Sequence, residues 1–524
     1  MNGRREVLIK SPVSKATPLK RALFFLCLLL VASFFEAPQS AKASTTIVNP
    51  NQIYSYSIMQ RDIKKLADAY PDLIAYETIG QTKYGRELWA VKLGRGKSVL
   101  FLNGSHHARE WITTTLLMKM IDTYAAAYDN NTTISKYNVR ELLDHVSIWF
   151  VPMVNPDGVT LSQQGTAGLP ANLAKTLKQY NGNSANFNRW KANMQGIDLN
   201  RQYPAQWNTI KNSKAYPWHQ NYKGTQPAQA LEVQSMMNFT YKIDPELTIS
   251  YHSSGQILFW HFNTLSKNLS RDKAIAAEIS KLTGYSLVQP EKNPSGGGYK
   301  DWFIQEFGRP GYTIEVAEYA GERSVPLSAF NGIWSENKEV PLFTAQKSYN
   351  LWLEKQKVQY LRQSMSLLAE TKLYSKIGAA DSISNLKPQQ VEVTAQKGDW
   401  YQVVSNQGTG WVQPSPGKLA VVEDMNATAD LKDNAYTYKY PDAFSPKGST
   451  LSPQTVQVIG RWSDWLLINT NNGNWWIDGR HIELNPTPEE AAPEDVPEVV
   501  PETAPGAVPY VTPEVAPETE VPAA

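Results

Sequence analysis

Cysteine is all but missing from this chain: its 524 residues hold one, Cys27. A single thiol excludes an internal disulfide framework, and no disulfide-linked partner is expected. Histidine is scarce, with seven, so two of them set against a carboxylate stand out. The apolar stretch Ala22–Phe35 covers 14 residues, short of the roughly 20 that a membrane-spanning helix needs. Neither sign of charge dominates, with 51 basic and 49 acidic residues, and no nucleic-acid partner is expected.

What is present falls into blocks. Arg4, Arg5, Lys10, Lys15, Lys20 and Arg21 precede the apolar stretch, and Ala41-Lys42-Ala43 follows it. That order reads as a secretory signal peptide over 1–43, removing Cys27 with it. At the other end, 486–524 carries 10 prolines, nine acidic residues and no basic ones. Such a segment buries too little apolar surface to order itself and reads as a disordered, extended tail. Between them, 44–485 holds 44 basic and 38 acidic residues, a mildly basic body that suits an anionic polymer such as a cell wall.

Residues 44–355 alternate helical and strand patterns. Met59, Ile63 and Leu66 share one face of a helix that must stop at Pro71. "ELWAVKLG", "KSVLFLNG", "VSIWFV", "ELTISYHSSG" and "GYTIEVAEY" read as strands, and "WITTTLLMKMIDTYAAAY" as a helix. This is an α/β pattern with a mixed, twisted sheet flanked by helices. A further helical stretch is expected near Leu351–Lys372. Beyond it lies an internal repeat. Val391, Val393, Asp399, Trp400, Val403, Gly408, Trp411 and Val412 recur as Val456, Val458, Asp464, Trp465, Ile468, Gly473, Trp476 and Ile477, always 65 residues later. One β module occurs twice, over 365–420 and 430–485. Both copies resemble bacterial SH3-type domains, which implies two small β-barrels that bind the cell wall; the plainer alternative is that their tryptophans only fill two small cores.

The densest polar cluster is "NGSHHAREW", Asn103–Trp111, directly after an apolar strand. His252 follows a second strand in "LTISYHSS", and Glu315 stands on a third in "GYTIEV". Carboxyl ends of strands are where α/β sheets assemble their sites. Two imidazoles and a carboxylate with one open position are the donor set of catalytic zinc.

These residues resemble the zinc carboxypeptidases of the funnelin type. The match covers about 50–350 and runs through His107-x-x-Glu110, Asn155–Gly158 ("NPDG"), Gly196–Arg201 ("GIDLNR"), His252 in "YHSS" and Ser295–Trp302 ("SGGGYKDW"), in the family's order. The spacing selects His107 rather than His106, whose role is then structural. The resemblance implies one Zn2+ per catalytic domain on His107, Glu110 and His252, with Glu315 as general base. It implies Asp198 behind a histidine ligand, Asn200 and Arg201 on a substrate carboxylate, and Arg109 on the substrate or its oxyanion. Two features depart from the family. Met194 and Gln195 stand where an oxyanion arginine is common, with Arg189 and Lys191 upstream, and "QPEKNPSGGG" has no tyrosine where digestive members carry one.

"NPSGGGYKDWF" and "RWKAN" with "GIDLN" are similar to bacterial γ-D-glutamyl-L-diamino acid endopeptidases. That implies a secreted, wall-associated peptidase cutting peptidoglycan stem peptides. The alternatives are a carboxypeptidase trimming ordinary peptides and a non-catalytic wall-binding protein.

Overall fold

The computed structural model describes residues 46–486; the expected leader and the Pro/Glu-rich tail lie outside them apart from Pro486. The chain forms two compact units, one running up to Val422 with Asp442–Pro446, the other holding Glu423–Pro441 and the chain from Lys447 onward.

An eight-stranded mixed sheet organises the first unit. Its strands are β1 (Ile74–Gln81), β2 (Glu87–Leu93), β3 (Ser98–Gly104), β4 (Val146–Val151), β5 (Leu247–Ser253), β6 (Ile257–Phe259), β7 (Ser286–Leu287) and β8 (Gly311–Val316). They lie in the order β1-β2-β4-β3-β5-β8-β6-β7. The central four run parallel, and nearly all their residues are buried, polar ones such as Thr248 and Ser250 included, since parallel strands are covered on both faces. Alternation along β3 shows the two layers. Leu100 and Leu102 belong to the core under the helices Ile112–Asp129 and Val340–Lys355. Phe101 faces the other way, meeting Phe239 and Tyr299 edge-on at 5.7 and 5.9 Å. The first helix, Tyr56–Ala69, is capped by the Ser55 hydroxyl and ends just before Pro71, as its sequence requires.

The helix expected near Leu351–Lys372 is corrected by the structure. It ends at Lys355, and Gln359–Leu367 is a strand paired antiparallel with Gln389–Lys397. Leu361, Met365 and Leu368 sit at helical spacing, but Leu361 and Met365 pack on the β core with Leu367, and tertiary pairing overrides local pattern. The first module therefore begins at Gln359. Its five-stranded sheet has the order 408–412, 400–405, 389–397, 359–367, 419–420.

This module is joined to the α/β sheet domain by partly buried polar contacts. The Asp399 carboxylate meets His145 Nδ1 at 2.5 Å and accepts from the Tyr349 hydroxyl. Trp400 Nε1 and Gln413 Nε2 donate to that same hydroxyl at 2.9 and 2.8 Å.

The second unit repeats the pattern in a seven-stranded sheet. Thr455–Trp462, Trp465–Thr470 and Gly473–Asp478 match the first copy's strands 389–397, 400–405 and 408–412, and Glu423–Leu431 with Ile482–Leu484 match its strands 359–367 and 419–420. Val393, Val403 and Val412 and their counterparts Val458, Ile468 and Ile477 are all buried.

Candidate active site

β3 ends at Gly104, and the chain turns to place His106 and His107 at the sheet's carboxyl edge. A single turn of tight helix, Ala108–Glu110, folds Glu110 back onto His107, with Glu110 N–H donating to the His107 carbonyl at 3.1 Å. His252 lies near the end of β5, and Glu315 pairs with it directly across the parallel ladder to β8.

Three of these side chains converge. His107 Nδ1 lies 2.9 Å from Glu110 Oε1 and 3.0 Å from His252 Nδ1, which lies 2.9 Å from Glu110 Oε2. One ligand atom from each falls within a 4.8 Å cluster, and all three residues are buried. Two imidazole nitrogens and a carboxylate sharing so small a dry volume fit a divalent cation, and the N/O donor set fits zinc. Behind His107, Asp198 Oδ1 stands 3.2 Å from Nε2. Asp198 itself accepts from the backbone N–H groups of Asn200 and Asn221. This is the carboxylate–imidazole arrangement that fixes a ligand ring's tautomer and direction.

Electrostatics follow from burial and neighbours. Burial alone would raise the Glu110 carboxyl, but the His107 and His252 rings hold it well below the carboxylate range. Asp198 is likewise held low against its burial, by His107, Lys191 and Arg201. Burial and the neighbouring Glu110 carboxylate push Glu315 up to about 7. His106 is fully buried and its pKa is driven well down by burial and by the other two rings. Its Nε2 meets the Tyr203 hydroxyl at 2.9 Å and its ring stacks on His252, so it supports the site from beneath.

A cavity of 370 Å3 opens beside this cluster. His107, Asp198, Asn200, Arg201 and Glu315 line it, together with Lys191 and Lys300. Asn200 accepts from the Tyr299 N–H, and Arg201 donates to the Lys211 carbonyl and to Asn221. Arg109 is placed differently. Its guanidinium donates to the Arg189 carbonyl at 3.1 Å and lies outside the cavity lining, though its charge is felt at Glu315.

The structure also separates the residues that sequence left open beside the oxyanion position. Arg189 is committed to Asn181, donating to both its side-chain and its backbone oxygen. Met194 is buried in a small core with Leu161 and Trp190, and Gln195 does not reach the cavity. Lys191 does, and its charge lowers both Asp198 and Glu315. The loop without tyrosine, from Val288 to Ser295, forms part of the cavity wall. Lys300 went unremarked within "SGGGYKDW"; its ammonium sits 2.7 Å from Asp301 and donates to the His261 carbonyl.

Comparison with known proteins gives the family. The zinc carboxypeptidase family model matches residues 59–339, and the chain belongs to that family. It is a zinc metallopeptidase. Among curated proteins it is similar to γ-D-glutamyl-L-diamino acid endopeptidase 1 of Lysinibacillus sphaericus, with 37% identity over 294 residues, 55% of this chain and 72% of that one. It is also similar to mast cell carboxypeptidase A of Homo sapiens, with 27% identity over 256 residues, 46% of this chain and 57% of the relative. Among solved structures, bovine thrombin-activatable fibrinolysis inhibitor in complex with tick carboxypeptidase inhibitor matches at 18% identity and a TM-score of 0.47, covering 57% of this chain and 99% of that one.

Proposed function

We propose that the chain is an exported, wall-associated peptidase that hydrolyses the γ-D-glutamyl–diamino acid bond of peptidoglycan stem peptides. The observation that carries this reading is a cavity that sets Arg201, Asn200 and Lys191 beside the His-Glu-His cluster, where they can meet substrate carboxylates. The pocket opens on Glu315; its lining also holds Glu291 and Asp301, the latter paired with Lys300 at 2.7 Å, which leaves Lys191 and Arg201 as the cations nearest the cluster side. Glutamyl–diamino acid substrates bring several carboxylates to one site, and clustered cations recognise them. The likeness to an endopeptidase of that name supports the same substrate class.

His107, Glu110 and His252 would hold the zinc, which when bound would supply a water of lowered pKa and a Lewis acid for the scissile carbonyl. The protein does the rest. Asp198 keeps the His107 ring turned toward the ligand cluster. Glu315 takes a proton from the attacking water and delivers it to the leaving amine as the C–N bond breaks. Asn200 and Arg201 orient a substrate carboxylate, and Lys191 stabilises the oxyanion that forms on the attacked carbonyl. Arg109, tied to the Arg189 carbonyl, steadies the loop that carries Lys191 and tempers Glu315 through its charge.

The test is direct. The protein from Ser44 onward is incubated with a γ-D-Glu–diaminopimelate muropeptide and with an α-linked peptide, each with and without a zinc chelator, and products are read by mass spectrometry. Chelator-sensitive cleavage of the muropeptide alone is the expected result. Stepwise loss of C-terminal residues from the α-linked peptide would replace this reading with that of an ordinary carboxypeptidase. Glu315→Gln should lower turnover by about a hundredfold to ten-thousandfold while zinc content stays unchanged.

A further inference from the structure

The second β module carries a groove of 520 Å3 on its own sheet, lined wholly by uncharged residues. Trp475 is its aromatic element, half-buried, with the indole N–H donating to the Asn472 carbonyl at 3.3 Å. A Cβ at Gly448 would stand 2.6 Å from that ring, so glycine there lets the indole lie close against the neighbouring strand. Around it stand the amides of Gln454, Gln457, Asn469, Asn471 and Asn472.

The first module does not repeat the residues that line this groove. At the repeat offset, Trp475 corresponds to Gly410, Asn469 to Val404 and Gln457 to Glu392. A side chain at 410 would meet the Tyr374 carbonyl at 2.7 Å and Leu373 at 2.8 Å. The two copies share the buried positions Val393/Val458, Val403/Ile468 and Val412/Ile477 and differ in the residues that build the groove. Core packing therefore does not account for the Asn-rich run "NTNNGNWW".

The lining defines the ligand's chemistry. An indole face offers a flat apolar platform, and side-chain amides offer paired donors and acceptors. Without a cationic or anionic partner in the lining, the groove lacks what stem peptides and phosphate polymers need for recognition. A ligand that is uncharged, dense in hydroxyl and amide groups, and flat on one side meets every requirement. We propose that this groove binds a neutral carbohydrate chain of N-acetylated sugars. The proposal stands on the second module alone and does not depend on the bond cleaved in the catalytic cavity.

Titration calorimetry on the full chain tests it, with the β-1,4-linked N-acetylglucosamine pentasaccharide as probe and a free stem tetrapeptide and a polyglycerol phosphate as controls. Saccharide binding is expected, weakened at least about tenfold by Trp475→Ala and severalfold by Asn469→Val, which installs the first copy's residue. Neither variant should change hydrolysis of a glycan-free muropeptide. Asn469 is exposed, so its variant keeps the test decisive if Trp475→Ala fails to fold. No saccharide binding at roughly millimolar concentration, equal affinity in wild type and both variants, or binding of the tetrapeptide or phosphate polymer alone would each overturn the proposal.

Discussion

The two β modules use the same strands for different ends. In the first, the turn before Trp400 is an anchor: Asp399 holds His145 and Tyr349, and Trp400 is buried against Tyr349 with its N–H satisfied. In the second, the equivalent Asp464 is exposed, and Trp465 meets Tyr438 of its own sheet edge-on at 5.2 Å. The first copy is thus a structural part of the catalytic unit, while the second keeps a polar groove. The two copies keep equivalent apolar positions at the centre of each sheet, and the residues around them differ.

The largest effect that would break this comparison comes from Trp400→Ala. Removing a buried indole and leaving the Tyr349 hydroxyl short of a donor should destabilise the first unit by about 3–5 kcal/mol. Trp465→Ala should cost clearly less, since its indole is only half-buried. Urea unfolding, with hydrogen exchange read separately on strands 389–412 and 455–478, compares the two. Equal losses would show that Trp400 is ordinary core and that the anchoring role is wrong.

A smaller effect sharpens the same contrast at one turn. Gly398 and Ser463 occupy equivalent positions, both left-handed, with φ of 63° and 52°. A Cβ at 398 would stand 2.8 Å from the Trp352 ring, whereas 463 is exposed. Gly398→Ser should therefore destabilise by about 1–3 kcal/mol through overpacking. Ser463→Gly should be neutral or slightly stabilising, because relief of left-handed strain offsets the added chain entropy. Thermal unfolding of the two variants checks both signs, and a neutral Gly398→Ser would mean that Trp352 yields without cost.

The sequence carried the metal cluster further than any other feature. His107, Glu110, His252 and Glu315 were legible because strand ends are visible in sequence and ligand chemistry restricts the residue types. Lys191 was legible only as one of several cations near the oxyanion position. Its assignment needed the path of the loop, pinned where Ala108 N–H donates to the Lys191 carbonyl at 3.0 Å, and the sight of Arg189 committed elsewhere. Arg109, inside the most distinctive motif, donates to the Arg189 carbonyl and to Gln220, partners that motif order does not encode. The strand Gln359–Leu367 was hidden because its apolar residues fall at spacings that suit a helix, and only pairing with a strand some 30 residues on decides between them. The repeat was plain from its constant offset, but the groove was not, since it depends on what replaces Gly410 and Val404 in the second copy.

The smallest effect is a pH dependence carried by the anchor alone. Burial pushes the Asp399 carboxyl up, but its contacts with His145, Tyr349 and Gln413 outweigh this and hold it below the ordinary carboxylate range. A lowered folded-state pKa means that the ionised pair stabilises the fold above the unfolded value of about 3.9. That contribution is lost as pH falls through the still lower folded value. Asp399→Asn preserves the shape and removes the charge. Its deficit against wild type, about 1–3 kcal/mol at about pH 5, should shrink steadily toward pH 3. Asp464→Asn, at an exposed position, should stay within about 0.5 kcal/mol of wild type throughout. Urea midpoints across that range decide the matter. A deficit for Asp399→Asn that persists undiminished at the acid end would mean that the anchor works by shape and hydrogen bonding alone. A matching deficit at Asp464 would mean that the two turns are not the anchor and the free surface that their surroundings make them.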